Sequence, residues 1–159
     1  MTTRTDSHDR LLEHLSGLVA GSGDPSRPVA FDLDGTLVEA IDRLGPRRTP
    51  GVLAPVAQAA WTLLSRGVPL AIVTGRECPD ETTLDVMRAL EHAAGRPLTP
   101  EERALVAIEV GGKWAGLRTA VRRKAETLGR IRALCIVGDL PHLDGAGAKA
   151  AGVPYFQVG

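Results

Sequence analysis

Short apolar runs alternate with helix-length stretches along most of this chain, and no other feature limits its fold so strongly. The runs are Val29–Leu33, Leu70–Thr74, Leu105–Val110, Leu134–Val137 and Pro154–Val158, each of strand length. Helical patterns over Thr49–Arg66, Asp80–Gly95 and Lys113–Gly129 separate the first four runs, and a shorter one over Leu143–Ala151 precedes the last. Runs apolar on both faces, joined by helical crossovers, predict a parallel sheet covered on both sides, hence a three-layer α/β/α domain. Thr49-Pro50 and Thr99-Pro100 read as helix N-caps followed by first-turn prolines, and Gly67, Gly95 and Gly152 as helix ends. Upstream, Leu11, Leu15, Leu18 and Val19 recur at helical spacing, predicting an amphipathic helix over 8–20 with Asp6 or Ser7 as its cap. Residues 1–27 are thus expected to form a helix and linker that covers a sheet edge, ahead of a domain over 28–159.

The length of 159 residues suits one such domain. Nineteen basic side chains balance nineteen acidic ones, so net charge advertises neither a nucleic-acid binder nor a membrane-surface binder. Five aromatic residues leave little for base stacking. Cys78 and Cys135 are too few for a zinc pattern or a disulfide framework, and Cys135 lies in an apolar run, as a core residue would. No run is long enough for a membrane span, and charges interrupt the N-terminus where a signal peptide would be apolar. These features lead us to expect a soluble, cytoplasmic protein with no membrane partner.

Three of the predicted strands end in chemically capable side chains. The first ends Phe31-Asp32-Leu33-Asp34-Gly35-Thr36, and the two-residue period of an extended chain would put Asp32 and Asp34 on one side. Carboxylates so placed repel unless a cation lies between them or one keeps a proton. The second ends Val73-Thr74-Gly75-Arg76, and the fourth ends Val137-Gly138-Asp139, with Asp144 five residues on. A calcium loop of the EF-hand type is excluded, because Leu37 and Arg43 stand where its glycine and its final acid belong.

This ordered set resembles the haloacid dehalogenase superfamily of phosphatases and phosphotransferases. The match covers the first motif, Asp-x-Asp-Gly-Thr, a Thr ending the next strand, and Gly-Asp-x-x-x-x-Asp at Gly138–Asp144. The resemblance implies a Rossmann-like five-stranded sheet of order 5-4-1-2-3. It also implies Asp32 as the nucleophile that becomes an aspartyl phosphate, and Asp34 as general acid and then base. Mg²⁺ would be held by Asp32, Asp34 through its backbone carbonyl, and Asp139, with Asp144 further out. Thr74 would bond a phosphoryl oxygen, and Gly35, Thr36, Gly75 and Arg76 would line the substrate site, with backbone N–H groups after Asp32 as a cradle. The family also uses a basic residue, commonly lysine. With three lysines in the chain, the choice lies between Lys113, at the start of the predicted third crossover helix, and Lys124 in its body beside Arg122 and Arg123. Lys113 is preferred, since a lysine flanked by arginines reads as part of a solvated face.

The stretch between Asp34 and Thr74 holds one crossover helix and a flap, Val38–Arg48, and 77–112 is also short, so no substantial cap domain is expected. An open site suits a large phosphorylated substrate, or a small one enclosed by a second copy of the chain. Thr74–Glu77 and Ala151–Val158 also resemble the phosphatase domain of phage-type polynucleotide kinase-phosphatases, which implies a nucleic-acid 3′ end as substrate, with Arg47, Arg48 and Arg76 near it. His142 reads as a loop histidine, and Trp61 and Trp114 as core anchors. The alternatives to a phosphomonoesterase are a phosphotransferase on the same scaffold and a non-catalytic binding or regulatory module.

Overall fold

A computed structural model describes residues 2–4, 8–40, 49–111 and 116–159. Six parallel strands form one sheet: β1 (Thr2–Arg4), β2 (Val29–Phe31), β3 (Leu70–Thr74), β4 (Val106–Val110), β5 (Cys135–Gly138) and β6 (Tyr155–Gln157). Their spatial order is β1-β6-β5-β2-β3-β4. Apart from β1, this is the expected five-stranded parallel sheet in the expected order, and each of its strands falls within or one residue beyond an apolar run. The sequence reading has no counterpart for β1, which lacks any apolar run and pairs with β6 through its backbone, Thr2 opposite Tyr155.

Alternation along the strands sorts their side chains into two unequal layers. Val29, Phe31, Leu70, Ile72, Cys135, Val137 and Phe156 face one way. That face is covered by α1 (His8–Ser22), α2 (Ala54–Ser65) and α3 (Pro79–Ala94). Ala30, Ala71, Val73, Ile136 and Tyr155 face the other way, toward Leu128 of α5 (Leu117–Arg130) and Ala148 of α6 (Ala146–Ala151). Small residues on this second face let α5 and α6 lie close to the sheet, and that proximity shapes the site.

The short α4 (Pro100–Ala104) opens with the predicted cap: Thr99 Oγ1 accepts from the Glu102 N–H while the Glu102 carboxylate accepts from the Thr99 N–H. Gly95 and Gly152 adopt the left-handed conformation that ends α3 and α6. Thr49-Pro50, by contrast, caps nothing. The chain first returns to the flap base, where Val38 bridges Val52 and the Glu39 N–H donates to the Gly51 carbonyl at 2.8 Å. The helix therefore starts at Ala54, with Pro55 in its first turn. Arg47 and Arg48 lie outside the described residues.

The N-terminal helix is not an edge cover. Leu11 and Leu15 are buried in the same core as Phe31 and Ile72, with α1 packed on α2, while β1 extends the sheet edge. Trp61 packs partly against this core and carries the Arg96 guanidinium over its ring at 4.8 Å. Among the described residues, no helix is long and apolar enough to cross a membrane. Since Leu15 is fully buried, Leu15→Ala is expected to cost about 2–5 kcal/mol in urea unfolding, with one cooperative transition. A separately unfolding N-terminal segment would instead give an early transition and leave the main one unshifted.

Candidate functional site

The strand register brings the motif residues to one edge. Phe31 lies opposite Ile72 on one side and Val137 on the other, so Asp32 leaves the sheet level with Gly138, between β3 and β5. By alternation with Ala30, the Asp32 side chain turns toward the face carrying α5 and α6. Its backbone N–H still donates to the Val137 carbonyl, at 2.9 Å, which anchors the residue to the sheet.

On that face stands Lys124, which is 1 % exposed. Its Nζ lies 3.3 Å from Asp32 Oδ1 and donates to Asp144 Oδ1. The expectation of a solvated lysine therefore fails, and the reason is helical spacing. Ala120, Lys124 and Leu128 are the buried residues of α5, four apart on its inner face, while Arg122 and Arg123 point outward. That register was present in the sequence and would have singled out Lys124. Gly147 of α6 makes room for the lysine stem, since a Cβ there would meet Lys124 Cγ at 3.2 Å. Lys113 lies outside the described residues.

Asp32, Asp139 and Asp144 converge, with one carboxylate oxygen from each within 4.8 Å of the others. Two glycines permit this. A Cβ on Gly35, which also has φ of +79°, would overlap the Asp139 carboxylate, and one on Gly138 would overlap that of Asp144. Asp144 is fully buried, on a π-type turn over Pro141–Gly145, and its Oδ2 accepts from the Leu140 N–H. It is thus a member of the cluster and not an outlying partner. His142, on the same turn, is exposed.

Three carboxylates against one ammonium leave the cluster short of positive charge. Burial pushes the Asp32 carboxyl up to about 7; Lys124 opposes the shift, and Asp144 and Asp139 add to it. Asp139 is also raised, by burial and then by Asp144. Burial works against the Lys124 charge, yet Asp32 and Asp144 outweigh it and move its pKa up. A hard divalent cation fits this all-oxygen set, because it would supply the missing charge at the carboxylates that burial holds.

The side chain of Asp34 is not in the cluster. The strand has ended at Phe31, the chain bends at Leu33, and the two-residue alternation no longer holds. Asp34 turns instead to Arg76, whose Nε and Nη2 donate to its two oxygens at 3.0 and 2.7 Å. The aspartates avoid repulsion by each facing its own cation. Arg76 is itself buried, with Nη1 on Asp85 Oδ2 at 2.5 Å, so it is a partner of carboxylates and not a free arginine at the site mouth.

Thr74 ends β3 at 1 % exposure, and its Oγ1 accepts from the Arg76 N–H at 3.3 Å, which leaves its proton to donate elsewhere. Gly75, half-buried, joins the two. The N–H of Gly35 donates to the Val38 carbonyl and that of Thr36 to Leu33, so these two donors close the turn and are not open to a ligand. The Thr36 hydroxyl is buried and donates to Asp139 Oδ1 at 3.4 Å. Cys135 is buried, which raises its thiol pKa, and Cys78 is exposed.

Neither the models of known protein families nor the curated proteins give a match to this chain.

The raised carboxyls predict a linked response to pH and cation. Without metal, the folded protein holds more protons at Asp32 than the unfolded chain between about pH 4 and 7, and Asp139, also raised, acts in the same direction, so these groups lower stability as pH rises. A cation competes with those protons. Adding Mg²⁺ at one fixed concentration, about one hundred times its Kd at pH 8, is expected to raise Tm by about 5–10 °C at pH 8, and by much less at pH 5, where protons weaken binding. Thermal melts with Mg²⁺ and with chelator check this. An equal Tm shift at both pH values would rule out binding at these carboxylates.

Proposed function

We propose that this protein is a Mg²⁺-dependent phosphomonoesterase of the haloacid dehalogenase type, working through an aspartyl phosphate on Asp32. The observation that carries the reading is the pairing of Asp32 with buried Lys124, at the carboxyl edge of a parallel sheet and within an acidic cluster. Ligands of such sheets bind at this edge. The motif order Asp32, Thr74, Asp139 supports the same reading.

A carboxylate oxygen of Asp32 attacks phosphorus, and the ester P–O bond breaks as Asp34 gives its proton to the departing oxygen. Water then attacks the same phosphorus, Asp34 takes its proton, and the acyl phosphate bond breaks to release orthophosphate and restore Asp32. Thr74 donates its hydroxyl proton to a phosphoryl oxygen. Lys124, and not Lys113, keeps positive charge against Asp32 and the transferred group. Asp32, Asp139 and Asp144, with the Asp34 backbone carbonyl, would hold Mg²⁺, which when bound would offset the charge of the phosphoryl oxygens. Asp34 takes part through that carbonyl while its carboxylate serves as acid and base.

Phosphate release tests the reading, using an aryl phosphate, nucleotides, sugar phosphates and a 3′-phosphorylated oligonucleotide, each with Mg²⁺ and with chelator. Metal-dependent release is expected, falling by about 10³-fold or more in Asp32→Asn, which keeps the shape but removes the nucleophile. Lys124→Ala is expected to lose turnover and Lys113→Ala to keep it. Wild-type rates in Asp32→Asn would overturn the covalent mechanism.

A further inference from the structure

We propose that Asp85, on α3 and remote from the acidic cluster, is a positioning residue that sets the Asp34 carboxyl through Arg76. This rests on the phosphatase reading, since it concerns the group that moves the proton. Asp34 follows a bend, its side chain is 32 % exposed, and rotation about its two side-chain bonds would scatter its oxygens. Arg76 removes that freedom with two parallel donors, a fork that fixes a carboxylate in a plane. An arginine, however, has freedom of its own. Its remaining donor, Nη1, reaches Asp85, whose side chain is 7 % exposed and whose other oxygen accepts from Arg88 Nη2 at 2.5 Å.

The result is a row of alternating charge, Asp34–Arg76–Asp85–Arg88, running from the site into the first turns of α3. Asp85 lies on the inner face of that helix with Thr82, Val86 and Ala89, a face otherwise uncharged. A buried carboxylate costs free energy unless it is paired, and pairing is what Asp85 provides for both guanidiniums. Asparagine would offer a single acceptor oxygen, enough for one of them. Arg76 would then be free to turn, and Asp34 with it.

A group that only stabilises the fold would affect all substrates alike. A group that aims the general acid affects substrates according to how much the departing oxygen needs a proton. A nitrophenyl ester needs little, and a simple alkyl ester needs protonation as its bond breaks. For Asp85→Asn with Mg²⁺ at neutral pH, kcat/KM, which reports only the steps through formation of the aspartyl phosphate, is expected to fall by about 10–100-fold on an alkyl phosphate and to stay within about 3-fold of wild type on nitrophenyl phosphate, while kcat falls on both because Asp34 also activates the water. Asp85→Glu, which restores two acceptors, should recover part of the loss. Arg76→Lys, which keeps the charge but lacks the fork, should show the same selectivity and serves if Asp85→Asn fails to fold.

A second readout does not need turnover. The buried Arg76 Nε–H, bonded to Asp34, should give a slowly exchanging ¹⁵N-resolved resonance in wild type that broadens or disappears in Asp85→Asn. An unchanged resonance in that variant, or equal losses of kcat/KM on both esters, would overturn the role of Asp85 while leaving the phosphatase reading intact. A wild-type protein inert toward both esters would overturn the phosphatase reading, and this role with it.

Discussion

A lysine ammonium enclosed by protein is the constraint around which this molecule is arranged. Lys124 cannot be buried alone, because removing a charge from water costs several kcal/mol that only close partners offset. Asp32 and Asp144 are those partners, and they lie far apart in the chain, one after β2 and one beyond β5, strands that pair side by side in the sheet. Satisfying Lys124 therefore requires the sheet to be assembled and α5 to lie tightly on it. Ala30 and Ala71 beneath α5 and α6, and Gly147 against the lysine stem, are the small residues that allow the approach. Larger residues there would hold the helix off and strand the charge.

The same pair leaves a surplus of negative charge. Asp139 joins Asp32 and Asp144, and burial raises the proton affinity of both Asp32 and Asp139. A carboxylate poised near neutrality is a poor nucleophile while it holds its proton. The fold thus supplies a well-placed but under-compensated acid, and a hard cation is the simplest remedy. Asp34 meets the opposite condition: it is set apart on Arg76, outside the cluster. Two aspartates two residues apart thus come to occupy different electrostatic surroundings, one against a buried lysine and two further carboxylates, the other against an arginine fork.

Much of this was legible in the residues. Strand positions followed from apolar run length, because a strand covered on both faces has no polar side to disguise it. The capping box at Thr99 and Glu102 was local and appeared as expected. What escaped were features decided by partners distant in the chain. The strand β1 forms because β6 offers an unpaired edge, which Thr2–Arg4 does not announce. The α2 start shifts to Ala54 because residues before it return to pair with Val38 and Glu39. Asp34 turns from Asp32 because the strand ends sooner than its apolar run. Lys124 was overlooked for another reason: its neighbours in sequence are charged, but its neighbours on the helix are Ala120 and Leu128. Periodicity, not adjacency, was the informative measure.

Arg76 illustrates how a tertiary partner overrides a motif. At the end of β3, an arginine after Thr-Gly would ordinarily be read as reaching for a phosphorylated ligand. Here Asp34 and Asp85 engage all three of its nitrogens and burial removes it from solvent. Desolvation alone would disfavour the charge, yet the two carboxylates reverse that and raise its proton affinity further. A guanidinium so committed orients what it touches and has little left for recognition. The floor of the site is thereby tied to α3 on one side, through Asp85, and to α5 on the other, through Lys124.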